Sequence, residues 1–363
     1  MPLIIKFAYN LKDILSISKR MGLVRKILNY IIFMIIMPVS TLLPACSADD
    51  DEAGADTVVP QVIFLFSPGG LGDLGYNDCI LSGVQQFKKA HPGIDVFMYS
   101  PPSLEVAERI FTDWLKRPES DIPVVFVFAS SDYEPLAERY IAMYSLTSNK
   151  RLLIFESMKD YGDERIYTFQ ISMYGASFLA GKTAAECAGG KGSMVLLGSS
   201  SDSPITAARD GFADGYGREY DLEYLAEDWT GFIMAPEAYR KMGEWSRKYG
   251  FVFPVAGGSN IGIYRYSREY EDSPYLAGMD VDQSGYSEKI TGSLVKHLDR
   301  LILVYLEQWL RDGTMPASRV YGLESGYVDW ALAPLYESRF REVVRSSREE
   351  AVRKEKEYYE KSD

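Results

Sequence analysis

The chain has 363 residues, 47% hydrophobic and 25% charged, a composition suited to globular lobes rather than to a disordered or fibrous chain. Its 51 acidic residues outnumber its 39 basic ones, for a net charge of −12, and the lack of a basic surplus argues against a nucleic-acid partner. Three cysteines and two histidines (His91 and His297) show no CxxC and no metal-ligand spacing, and no GxSxG, HExxH or Cys–His pattern points to an enzyme.

The first 45 residues have the character of an export signal. Lys19, Arg20, Arg25 and Lys26 precede a nearly uncharged apolar run at 27–43, followed by small residues before a cleavage point. Leu43, Pro44, Ala45 and Cys46 resemble a bacterial lipobox, in which the cysteine is lipidated, for example with palmitate, after cleavage. We therefore expect a lipoprotein signal peptide at 1–45, starting at Met1 or Met21, with Cys46 holding the protein to a membrane of the bacterial cell envelope. An uncleaved membrane anchor is the alternative. Asp49, Asp50, Asp51 and Glu52 open an acidic tether over 46–60 that resembles the export signal of surface lipoproteins in Bacteroidetes, which would place the protein at the outer membrane or cell surface. Without residues 1–45, which hold six basic residues and one acid, the chain keeps 33 basic and 50 acidic residues, a net charge of −17.

From residue 61 onward, strand and helix patterns alternate. The apolar run 62–66 predicts a strand and 77–90 a helix with Ile80, Val84 and Phe87 on one face. A strand at 94–99 follows, then a helix capped by Ser103 with Val106, Ile110 and Trp114 in one stripe. The fully apolar run 123–128 predicts a strand buried on both faces of a parallel sheet. A helix to about residue 146 and strands at 151–155 and 166–171 complete a first series. The second series has helices at 174–188, 205–220 and 235–249, strands at 193–198, 222–226, 251–256 and 275–279, and a long helix at about 285–310 carrying Leu294, Leu298, Leu301 and Ile302. Residues 341–363 predict a charged, solvated C-terminal helix. Cys79 and Cys187 either pair or, as the reading favoured here, stay buried free thiols.

Two parallel βα series imply an α/β protein of two doubly wound lobes, with ligand held where the strand C-termini face each other. Five polar loops follow strands, at 69–78, 130–132, 199–204, 257–260 and 280–283, and a shared cleft explains them together. Gly70, Gly72 and Gly75 spell GxGxxG, but the acidic residue of a dinucleotide site is missing: Asp95 opens the second strand and Tyr99 stands near its end. Asp280, Asp282 and Ser284 start like a calcium loop, but Thr291 stands where Glu is needed. Asp73 could serve merely as a helix cap, and Lys296 as a solvated helix lysine.

Taken in order, Gly69, Gly70, Asp73, Tyr76 and Asn77, the block 174–181, Gly211, Phe212 and Gly215, the block 256–258, the block 278–283 and the block 292–296 resemble the basic membrane protein family of substrate-binding lipoproteins, whose members include proteins like purine nucleoside receptor A. The resemblance spans roughly 62–333. It implies a type I periplasmic-binding-protein fold with a hinge, its first lobe at 61–168 plus about 283–312 and its second at 169–282 plus about 313–340. It also implies a lipid-anchored solute-binding protein of an ABC-type uptake system, closing on a nucleoside and presenting it to a permease, with no cofactor. Residue by residue it implicates Asp73, Tyr76, Asn77 and Asp132 of the first lobe, Trp229 or Phe232 as the second lobe's stacking aromatic, Gly257, and Asp280 with Lys296 on the ribose. Leu71 and Gly72 replace the family's usual Phe and Asn, and Tyr76 its usual Phe. Two alternatives remain: another solute such as a sugar, or a surface adhesion or scaffold lipoprotein with a degenerate cleft.

Overall fold

The apolar runs of the sequence become the strands of two sheets. The computed structural model describes residues 58–361, so Cys46, its lipobox and the acidic tether up to residue 57 lie outside the described residues. The first sheet is built from β1 (Gln61–Phe66), β2 (Asp95–Tyr99), β3 (Val124–Ala129), β4 (Lys150–Phe155), β5 (Ile166–Ile171) and β11 (Arg319–Tyr321), in the order β11-β5-β4-β3-β1-β2, and its pairings are parallel. The second contains β6 (Ser193–Ser199), β7 (Asp221–Ala226), β8 (Phe251–Val255), β9 (Tyr275–Asp280), β10 (Ile290–Lys296) and β12 (Val328–Leu332), in the order β12-β10-β9-β8-β6-β7. Only β10 with β12 runs antiparallel among these pairings.

Side-chain alternation divides β1 between two cores. Val62, Phe64 and Phe66 face one apolar cluster, while Ile63 and Leu65 face another with Phe111 and Trp114 of α2 (Leu104–Leu115). All residues of β3 are buried, as its unbroken apolar run requires once helices cover both faces. Strand order reverses between β1 and β3 in the first sheet and between β6 and β8 in the second. Crevices for ligands open at the C-terminal ends of strands at such reversals. The helix α4 (Tyr174–Cys187) packs so closely on α5 (Ser203–Tyr216) that a Cβ at Gly215 would stand 2.0 Å from the Phe178 carbonyl oxygen.

The chain crosses between the sheets three times, after β5, after β10 and after β11. The crossing strands lie side by side: Ser172 N donates to the Tyr321 carbonyl at 3.0 Å, and His297 N to that of Tyr327 at 2.8 Å.

Two expectations are corrected here. The helix expected at about 285–310 is instead strand β10 followed by α8 (Leu298–Asp312). Leu298, Leu301 and Ile302 do share the buried helical face, but Leu294 sits in the strand opposite Met279 and Trp330. Consequently the lobe ranges shift: β10 joins the second sheet although 283–312 was expected in the first lobe, and β11 joins the first although 313–340 was expected in the second. The C-terminal helix α9 (Glu337–Glu360) is not solvated all round, since Phe340, Val344, Ser347, Ala351 and Glu355 are buried. Cys79 and Cys187 are unpaired.

Candidate ligand-binding cleft

The C-terminal ends of both sets of strands converge on one cavity, with about 90 Å³ open to the centre of a water-sized molecule. The first lobe contributes Asp73, Tyr76, Asn77, Asp132 and Glu156; the second contributes Asp202, Phe232, Gly257, Asp280 and Lys296. Met173, Ile205, Val255 and Met279 form apolar wall between them.

The loop after β1 is held by its own polar residues. Asp73 Oδ1 accepts from Gly75 N at 2.9 Å, and its Oδ2 from Asn77 N at 2.8 Å, which caps α1 (Tyr76–Ala90). Burial raises the Asp73 carboxyl, and these backbone N–H groups offset part of that rise. Asn77 is buried and engaged on both sides: Oδ1 accepts from Ser67 N at 3.0 Å, and Nδ2 donates to Ser67 Oγ at 2.8 Å and to the Gly70 carbonyl at 2.9 Å. The structure therefore gives both residues a shaping role in the cleft wall. Asp132 follows β3, its Oδ2 accepting from Ser130 Oγ at 2.6 Å.

At the opposite wall stands a buried ion pair. Asp280 ends β9 in the left-handed backbone region, at φ +69°, and its Oδ1 lies 2.9 Å from Lys296 Nζ at the end of neighbouring β10. Both side chains are nearly fully buried. Burial alone would push the Lys296 ammonium toward neutrality, but Asp280, Glu156 and Asp202 override it and hold its pKa above the ordinary lysine value. Lys296 Nζ also stands 4.8 Å from the centre of the Tyr76 ring.

Three buried polar atoms that line this cavity make no hydrogen bond of ordinary geometry: Tyr76 Oη and Glu156 Oε1, whose groups face each other, and Asp202 Oδ1. Buried polar groups are nearly always paired, so polar atoms left with spare capacity on one cavity wall mark a place where a ligand could bind. Burial and the surrounding carboxylates push the Tyr76 hydroxyl well above its usual pKa, so it stays a donor. Glu156 Oε2 accepts from Ile171 N at 3.0 Å, and the carboxylate also faces the Tyr76 hydroxyl. Burial first, then Asp132 and Glu156, push the Asp202 carboxyl up to about 7, with Lys296 opposing.

The two candidate aromatics are placed differently. Phe232 lines the cavity, its ring seated over Gly198, where a Cβ would come within 2.5 Å of ring carbons, whereas Trp229 is half-buried and does not line the cavity. Phe232 also approaches Gly69 of the first lobe, at 3.9 Å from a Cβ placed there. The lobes are thus in contact around the cavity.

The model of the Bmp family, described as ABC transporter substrate-binding protein PnrA-like, matches residues 60–361. The chain belongs to this family. No curated protein matches it in sequence. Solved structures share the fold at low identity. One is an ABC transporter solute-binding protein from Aeropyrum pernix K1, with a TM-score of 0.63, 18% identity, and 82% of this chain and 90% of that one covered. A transcriptional activator of the comK gene from Bacillus halodurans gives a TM-score of 0.60 at 14% identity, over 80% and 96% of the two chains. The periplasmic component of an ABC-type sugar transport system from Hahella chejuensis gives 0.54 at 17% identity, over 72% and 97%. Among the described residues of this PnrA-like protein no helix is long and apolar enough to cross a membrane.

Lys296 was expected on a helix as a ligand contact, with a solvated lysine as the alternative; it lies instead at a strand end, buried beside Asp280. Glu156 and Asp202 were missed as site residues. Glu156 directly follows the apolar run of β4, and Asp202 lies in a strand-end loop already marked as polar, so both signals were present in the sequence.

Proposed function

We propose that this PnrA-like protein binds a nucleoside with a purine base between its lobes, as the lipid-anchored receptor of an ABC uptake system. The observation that carries this reading is the buried Asp280–Lys296 pair at the ends of β9 and β10. A carboxylate accepts both O–H groups of a vicinal diol, and an ammonium beside it donates to the same oxygens. Phe232 offers a stacking face for the base, an interaction of about 1–3 kcal/mol by analogy with single-strand base stacking. Tyr76 Oη, Glu156 Oε1 and Asp202 Oδ1 supply one donor and two acceptors for a polar base edge. Among the described lining residues Lys296 is the single cation against Asp73, Asp132, Glu156, Asp202 and Asp280, so a phosphorylated ligand is disfavoured.

A free sugar is the second reading. The diol chemistry of Asp280 and Lys296 suits it equally, and Lys296 over one side of the Tyr76 ring reduces the aromatic surface open to a base. A panel of melting curves separates the two: inosine, guanosine, adenosine and cytidine against ribose, glucose and galactose. A ligand bound only by the folded state raises Tm with concentration. A rise with purine nucleosides alone supports the first reading, a rise with sugars alone the second, and no rise with any compound removes both. Anchoring rests on Leu43, Pro44, Ala45 and Cys46, and a mature N-terminal mass showing unmodified Cys46 within an intact chain would contradict it.

A further inference from the structure

The loop between β1 and α1 meets the turn after β9 across the cleft mouth. A Cβ at Gly75 would stand 3.0 Å from Asp280 Oδ2, and one at Gly258 would stand 3.5 Å from the Asp73 Cβ. Within this contact a hydrogen bond runs from lobe to lobe through protein atoms alone: Gln283 Nε2 donates to the Leu74 carbonyl at 2.8 Å. The same amide nitrogen donates to the Met279 carbonyl at 3.1 Å, and Gln283 N donates to Ser293 Oγ of β10 at 3.0 Å. Gln283 is 3% exposed while Leu74 is exposed, so the bond is shielded from water on the second-lobe side only.

Both ends of the contact are held in unusual backbone. Leu74 has φ +55° and Asp280 φ +69°, in the left-handed region that non-glycine residues enter at a cost of about 1–3 kcal/mol. Leu74 N is tied to Asp78 Oδ2 at 3.0 Å, which fixes the loop to the start of α1. The turn 280–283 therefore carries two functions three residues apart. Asp280 faces the cavity, and Gln283 grips the loop of the other lobe.

We infer that Gln283 is the closure latch of this protein, a positioning residue that converts engagement of Asp280 into retention of the first-lobe loop. A ligand that orders Asp280 orders the turn, and the turn then holds the Leu74 carbonyl in place. Removing the amide donor leaves the cavity chemistry intact and lets the lobes part sooner. The ligand-bound half of the test rests on the nucleoside reading above; the ligand-free half does not.

The test uses two variants. Gln283→Met preserves side-chain length and packing against Gly278 and Ser293 without a donor, and Gln283→Glu sets an acceptor against two carbonyls. Circular dichroism reports whether each variant folds. Small-angle X-ray scattering of the ligand-free proteins reports closure, and stopped-flow kinetics reports inosine association and release. The latch predicts a larger radius of gyration for Gln283→Glu than for the wild type. It also predicts roughly ten-fold faster inosine release, with association unchanged. Gln283→Met should shift in the same direction. If Gln283→Met is folded and neither its radius nor its release rate changes, the latch is wrong; a fall in association alone would instead mark Gln283 as a ligand contact and overturn it too. If the wild type binds no inosine, the nucleoside reading fails and the scattering comparison alone decides the latch.

Discussion

Asp280 makes a prediction for stability and for binding together. It is buried, it neutralises a buried ammonium, and it occupies a backbone region that glycine normally takes. Asp280→Ala should remove nucleoside binding and also destabilise the ligand-free fold by roughly 3–5 kcal/mol, the usual consequence of stranding one member of a buried pair. Unchanged affinity in calorimetry would contradict the diol model. Asp202 makes a pH prediction. Its folded pKa is raised from 3.8 to about 7, so the folded protein holds a proton that the unfolded chain has already released across that interval. Protons bound preferentially by the folded state make stability fall as pH rises through the window, by about 4 kcal/mol at most for this group. Asp202→Asn should therefore raise the ligand-free Tm at pH 8 and leave it nearly unchanged at pH 4. Equal Tm differences at both pH values would show that the carboxyl is not strained.

At the scale of elements, α9 is part of the hinge framework. Its Glu355 carboxylate accepts from Ser172 Oγ at 2.5 Å, Gly175 N at 3.0 Å and Leu323 N at 2.7 Å, joining two of the crossings between sheets. A Cβ at Gly322 would fall 2.3 Å from Glu355 Oε2, so glycine makes room for that carboxylate. Glu355→Ala leaves three buried donors unpaired and should lower stability by about 3 kcal/mol, read as a drop in chemical-denaturation midpoint. Glu355→Gln, which retains one acceptor oxygen, should fall between.

These elements also show what could be read in the sequence. The apolar runs of β1, β3 and β8 announce buried parallel strands, and the polar loops after them announce the cleft. The stretch 285–310 misleads because Leu294, Leu298 and Leu301 keep helical spacing across a strand end. Gly292 and Ser293, small and buried, hide the strand pattern of β10. The placement of Lys296 depends on pairing between β9 and β10, and that of Glu355 on the docking of α9; neither is a local property of the chain.

For the whole molecule, two doubly wound sheets joined by three crossings place five carboxylate side chains and one ammonium around a shared cavity, with the lobes in contact at its mouth. Under the proposed function such an arrangement favours a neutral, hydroxyl-rich ligand, and that ligand would shift the lobes toward the closed form on binding. A 5′-phosphate would bring negative charge into the same space. The most direct measurement is calorimetric titration of inosine and of inosine 5′-monophosphate into the same protein. The account predicts saturable one-to-one binding of inosine and no detectable binding of its monophosphate. Tighter binding of the monophosphate, or no heat from inosine or any other nucleoside, would contradict it.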